Sequence, residues 1–165
     1  MNISATFEYA ATPDEVFAML ANEDFQARKC VATGALSHSV SVSQQGDRTV
    51  IVSSRKLPTE GFPDFVKSLV GATLGVTETQ DWGPAGADGA SQGRLTVDIG
   101  GAPIDLVGTL SLARDGQGSV ESVNGDLKAR IPLIGGKIEK AAAPTIESAI
   151  RVERETGQAW LATAK

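Results

Sequence analysis

From residue 137 to 162 the chain carries one long amphipathic pattern, and any fold it adopts must cover the apolar side of that rod. At 100° per residue, Ile138, Ala142, Ile146, Ala149, Ile150, Trp160 and Leu161 share a stripe, while Lys140, Glu147, Arg151, Glu155 and Gln158 lie opposite. Pro144 falls on the polar side, where the missing N–H predicts a bend rather than a break. Such a helix runs roughly 40 Å at ~1.5 Å per residue, long for a small domain, so a broad apolar surface has to wrap it. One polar residue interrupts the stripe: Glu153, between Ile150 and Trp160.

The rest of the chain supplies strands for that surface. Ile3, Ala5, Phe7 and Tyr9 alternate with polar residues, the pattern of a half-buried first strand. Thr12-Pro13-Asp14-Glu15 then predicts a helix start: Thr as N-cap, Pro at the first helical position, Glu at the third to close a capping box. A second short helix is expected over 24–30. From 35 to 43 the period becomes two, with Leu36, His38, Val40 and Val42 facing one way and serines the other. The turn Gln44-Gln45-Gly46-Asp47 returns the chain as a partner strand over 48–57.

Residues 58–63 break the sheet, and 64–70 are expected to form a short helix or flap with Phe65, Val66, Leu69 and Val70 as its apolar side. Strands are expected over 72–82, around Leu95, Val97 and Ile99, around Ile104 to Leu112, and over 119–131. The Gly/Ala-rich segment 83–93 reads as a mobile loop, and no helix follows it to make it a phosphate cradle. Strand, two helices, about six antiparallel strands and a long helix define an α+β domain, one domain spanning 1–165. A long twisted sheet curls, and one amphipathic helix fits its concave side.

Composition narrows the function. Hydrophobic residues are 41 % and charged residues 21 %, with 15 basic against 20 acidic side chains and a net charge of −5. Without a Lys/Arg cluster this argues against nucleic acid and anionic membrane surfaces as partners. No apolar run approaches the ~20 residues of a membrane span, the N-terminus has no signal-peptide pattern, and the single cysteine, Cys30, offers no disulfide framework. The expectation is a cytoplasmic chain.

The order of elements, with Phe7-x-Tyr9, Thr12-Pro13-x-Glu15-Val16-Phe17, the strand end at Trp82, the run Ile131-Pro132-Leu133-Ile134-Gly135-Gly136-Lys137-Ile138-Glu139 and Trp160-Leu161, resembles the START-like superfamily, also called SRPBCC. The birch-pollen allergen and steroidogenic-transport domains are founding members. Within it the chain is similar to a bacterial domain-of-unknown-function branch most familiar from actinobacteria. The resemblance implies a helix-grip fold: a seven-stranded curved antiparallel sheet around the last helix, enclosing an apolar cavity. It implies no reaction, since the superfamily holds lipid carriers, hormone receptors, aromatase/cyclases and oxygenase subunits.

Three residues are candidates for chemistry. His38, the one histidine, shares parity with Val40 and Val42 and is expected to face inward, as an acid/base group, as a polar ligand anchor, or simply satisfied by a carbonyl or near an edge with access to water. Glu153 lies on the dry stripe and must be paired, hydrogen-bonded, protonated or against a wet cavity. If it is structural, Arg28 or Lys29 holds it and its pKa falls; if it borders the cavity, desolvation raises its pKa. The Tyr9 phenol can orient a polar ligand tip or be core with a wet hydroxyl.

No HExxH, CxxC, GxSxG, Walker loop or dinucleotide fingerprint occurs, and one His and one Cys argue against a transition-metal site or a Rieske cluster. No cofactor is expected. The leading expectation is a binding or carrier protein for a small hydrophobic or amphipathic ligand of the lipid, polyketide or isoprenoid class. Its wall would comprise Tyr9, His38, Val40, Phe62, Phe65, Leu69, Leu95, Val97, Leu106, Ile138, Ala142 and Ile146. Segment 58–70 would be the gate. The alternatives are an aromatase/cyclase-like enzyme in the same cavity and a partner-binding module without one. Ligand identity and oligomeric state are not encoded in any of these patterns.

Overall fold

The first strand does not pair with the second. In the structure, a computed structural model describing residues 1–163, β1 (Asn2–Tyr9) and β2 (Ser37–Gln45) are the two edges of one antiparallel sheet. The helical corner α1 (Pro13–Leu20) and α2 (Glu23–Ala32) carries the chain between them. β3 (Arg48–Pro58) follows by hairpin, then α3 (Asp64–Val70), β4 (Thr73–Trp82), β5 (Ser91–Ile99), β6 (Ile104–Asp115) and β7 (Gly118–Ala129), which pairs with β1. The strand order is β1-β7-β6-β5-β4-β3-β2, and α4 (Gly135–Thr163) closes the chain. The seven-stranded sheet and long last helix are the helix-grip, START-like fold. Residues 164–165 of the final stretch lie outside the described residues.

Local chemistry accounts for these elements. Glu15 N–H donates to Thr12 Oγ1 (3.3 Å) and Thr12 N–H to Glu15 Oε2 (2.8 Å), a complete capping box. Asn22 Oδ1 accepts from the N–H groups of Asp24 and Phe25, which starts α2 one residue earlier than the sequence pattern suggests. β5 also begins inside the segment read as a loop: Gly93 pairs with Trp82 and Ser91 with Leu112, so the breaker-rich stretch ends at residue 90. Ladder hydrogen bonds on both sides outweigh a composition poor in strand formers.

α4 presents its expected stripe to the sheet, with Ile138 buried, and keeps Pro144 exposed and within one unbroken helix. Phe25 of α2 meets Trp160 edge-on with ring centroids 5.7 Å apart, and Phe17 of α1 meets Trp82 at 6.0 Å, so the corner plugs one end of the sheet. Gly157 lets α4 approach β1: a Cβ there would stand 3.0 Å from the Tyr9 hydroxyl and 3.1 Å from Met19 Cε.

Ile138→Ala is expected to lower stability by about 2–5 kcal/mol, and Ile146→Ala by less, because Ile138 is fully buried and Ile146 only half-buried. Urea unfolding of both variants checks this, and equal losses would place Ile146 in packed core.

Candidate functional site

The concave face of the sheet does not close fully on α4. A cavity of about 170 Å³ remains, and its wall is drawn from six strands and three helices. Leu95, Val97 and Ile99 of β5, Leu106 and Leu110 of β6, Val123 and Leu127 of β7, and Ile138, Ala142, Ile146 and Ile150 of α4 make it apolar. Alternation along each strand sends every second side chain inward, and the 3.6-residue period of α4 supplies the opposite wall. Phe62, Val66 and Val70 close one side from the flap around α3. That flap is tied at its base by buried Thr59, whose Oγ1 donates to the Gly71 carbonyl (2.8 Å) and whose N–H donates to the Ala72 carbonyl (3.1 Å).

One end of this apolar hollow is ionic. Lys29 of α2, only 1 % exposed, places Nζ 2.9 Å from Glu78 Oε1 and 3.5 Å from Glu153 Oε2. Arg55 of β3 sets Nη2 3.7 Å from Glu78 Oε2. Gln80 Nε2 donates to Glu78 Oε1 at 2.8 Å, and Trp82 Nε1 donates to Gln80 Oε1 at 2.9 Å, a relay that orients the carboxylate from behind. Buried Glu121 of β7 completes the set, and all but Trp82 face the cavity.

The carboxyls part in their protonation. Burial alone would raise Glu78, but Lys29 and then Arg55 overcome it and hold the group near 2. Glu121 has no such partner: burial first, then the negative charge of Glu153, push it up to about 8. Burial also raises Glu153, with Lys29 only partly offsetting it. Lys29 itself is raised, because Glu153 and Glu78 outweigh the burial that would neutralise it. Tyr9 is raised by burial and by neighbouring Glu121, so its phenol stays protonated.

Of the residues singled out from sequence, the structure brings Phe62, Leu95, Val97, Leu106, Ile138, Ala142, Ile146 and Glu153 to the cavity wall. The others lie elsewhere. His38 is exposed at the start of edge strand β2, where Leu36 is also 64 % exposed: the parity is right, but little packs over that end of the strand. Val40 is half-buried on the same strand and outside the cavity. Phe65 and Leu69 form the second apolar stripe of α3, packed against core, with Lys137 Nζ 4.5 Å from the Phe65 ring centre, while Val66 and Val70 face the hollow. Tyr9 is buried against Gly157 of α4 and borders a surface groove at Gln158 and Leu161 instead.

Glu153 departs from the expected pairing rule. It has the cation Lys29 and a raised pKa together, because burial outweighs a cation whose shorter contact is to Glu78. Arg28 stacks over Trp160, 4.9 Å from the ring centre.

Arg55, Glu78 and Glu121 were not among the sequence candidates, yet strand parity marks them. Arg55 alternates with Ile51 and Leu57, Glu78 with Val76 and Trp82, Glu121 with Val123. Charged residues in phase with core residues on adjacent strands were the available signal. Among the described residues no group of three His, Cys, Asp or Glu side chains is arranged to hold a metal, and no helix is long and apolar enough to cross a membrane.

Comparison with known proteins agrees with the fold. The sequence model of a family described as "Protein of unknown function (DUF2505)" matches residues 4–161. An uncharacterized protein of Mycobacterium tuberculosis strain H37Rv is 26 % identical over 113 residues, 67 % of this chain. That segment spans 64 % of the relative's own length, just under two thirds. Among solved structures, a STAR-related lipid transfer protein fragment from Xanthomonas axonopodis superposes with a TM-score of 0.63 at 10 % identity, covering 97 % of this chain and 85 % of that one. The Zhui aromatase/cyclase from Streptomyces sp. R1128 gives 0.59 at 12 % identity, covering 95 % and 93 %.

Proposed function

The chain belongs to the DUF2505 family, and we propose that it acts there, as a single domain in the cytoplasm, to bind or carry a small hydrophobic or amphipathic molecule of the lipid, polyketide or isoprenoid class. The observation that carries the reading is the largely apolar cavity between sheet and α4 with a cluster of charged side chains in its wall, the form ligand sites take. Its 170 Å³ lies below the ~300 Å³ common for such sites and is close to the ~150 Å³ that holds a single benzene. The occupant is therefore small, or the flap moves outward around the Thr59 tie to admit a longer one. The lipid-transfer neighbour supports this use of the fold by analogy.

A second reading has one observation behind it. A buried carboxyl held near 8 beside a hydrophobic hollow is suited to proton transfer at neutral pH, as an aromatase/cyclase-like reaction needs. Glu121, with the Tyr9 phenol beside it, would be the group to move that proton.

Titration with 1-hexanol, followed by methyl NMR, tests the binding reading. The Val97, Leu106 and Ile146 methyl signals are expected to move and saturate in the native chain. In Ala142→Phe, which fills the hollow from α4, the affinity is expected to fall at least about tenfold, with a stability loss of about 1–3 kcal/mol from overpacking. Methyl signals that stay still in the native chain would leave the cavity without a binding role.

A further inference from the structure

The ionic end of the cavity is not self-sufficient. The Arg55 side chain is 8 % exposed, yet its buried Nε and Nη1 have no hydrogen-bond partner among the described residues. Its one ionic contact is the long 3.7 Å approach of Nη2 to Glu78. Glu78 itself is engaged elsewhere: Lys29 and Gln80 both donate to Oε1 at under 3 Å. A guanidinium with two idle donors beside an otherwise apolar hollow is a costly arrangement unless something else accepts from it. The same donors are what an incoming anionic oxygen needs, since charge-assisted bonds are the strong ones and Arg is the side chain best shaped to make them.

Building on the binding role proposed above, we infer that the cavity takes a carboxylate-bearing ligand, its acid head on Arg55 and its apolar body between Val97, Leu106 and Ile146. Two features favour an acid over an alcohol, a ketone or an amine. Lys29 lies at the same end and adds a second fixed positive charge. Glu121, the carboxyl without a cation of its own, is largely protonated at neutral pH and so does not repel the head. An amine head could meet the unpaired Glu121, but it would leave Arg55 idle and add a third positive charge beside Lys29 and Arg55. The cavity's size fits a body of one ring or a short chain while the flap stays closed.

Methyl and guanidinium NMR titrations at pH 7 with hexanoate, 1-hexanol and hexylamine test this. Hexanoate is expected to bind about tenfold or more tightly than 1-hexanol, as an ionic hydrogen bond implies, and to shift the Arg55 Nε–H signal, which 1-hexanol leaves in place. Arg55→Gln is expected to bring the two affinities within about twofold of each other. The Nε–H shift in the native chain gives the same answer if Arg55→Gln does not fold. Equal affinities for hexanoate and 1-hexanol in the native chain, or preference for hexylamine, would overturn the acid head while leaving the binding role intact. Binding of none of the three, with the Val97, Leu106 and Ile146 methyl signals unmoved, would overturn both.

Discussion

Lys29→Ala is expected to lower stability by about 3–5 kcal/mol, among the largest effects of any single substitution in this chain. The lysine is 1 % exposed and is the near cation for two carboxylates, so its removal leaves Glu153 without a cation and Glu78 with only the 3.7 Å contact of Arg55. Lys29→Met separates charge from packing. It refills most of the volume but does not restore the cation between Glu78 and Glu153, so most of the loss should remain. Urea unfolding of the two variants decides the matter, and a Met variant near native stability would mean that packing alone is at stake. The pH signature has a definite sign. Glu78 lies well below its ordinary 4.5, so the stability from its ionised form is present above pH 4.5 and is lost as pH falls toward 2.

Glu121→Gln is expected to act the other way. Its carboxyl sits near 8 in the folded chain against an ordinary 4.5, so the folded state holds a proton that the unfolded state releases. Stability from this site is therefore full below pH 4.5 and is lost as pH rises to about 8. At about 1.4 kcal/mol per pKa unit, tempered by its coupling to Glu153, the loss is on the order of 3 kcal/mol. The amide keeps the shape, cannot ionise, and should remove the decline. Thermal unfolding of native and Glu121→Gln chains from pH 5 to 8.5 reads this directly. Parallel curves, with no gain for the variant at high pH, would show that Glu121 is ionised at neutral pH and has a partner.

Much of the architecture was legible because periodicity reports which side of an element is dry. Ile3, Phe7 and Tyr9 are buried as their alternation predicts, the Thr12–Glu15 box begins α1, and the α4 stripe lies inward from Ile138 to Leu161. What periodicity omits is depth. His38 has the parity of Val40 and Val42, but edge strand β2 is thinly covered at its start, so an inward phase there still meets water. In α3 two apolar stripes, 65/69 and 66/70, compete on seven residues, and only the packing against α4 and the sheet chooses between them. The ionic cluster was half legible. Lys29 shares a face with Phe25 and Cys30, and Glu153 interrupts a dry stripe. That these meet Arg55, Glu78 and Glu121 depends on strand pairings far apart in sequence.

Those distances set an order of assembly. The ionic cluster draws on α2, β3, β4, β7 and α4, and β1 cannot find its place until β7 exists, more than a hundred residues later. Contacts so remote are slow to form, because the long loops between them must close first. α4 follows all seven strands in the chain, and it brings both Glu153 and the lid over the hollow. Until it docks, Lys29, Arg55, Glu78 and Glu121 stay in contact with water, each charge hydrated and none stranded. Drying the cluster therefore requires α4, whose docking seals its charges from water together. The sheet can search for its register with its charges solvated, and a misplaced α4 leaves Glu153 away from Lys29, a fault that water-exposed intermediates can still correct.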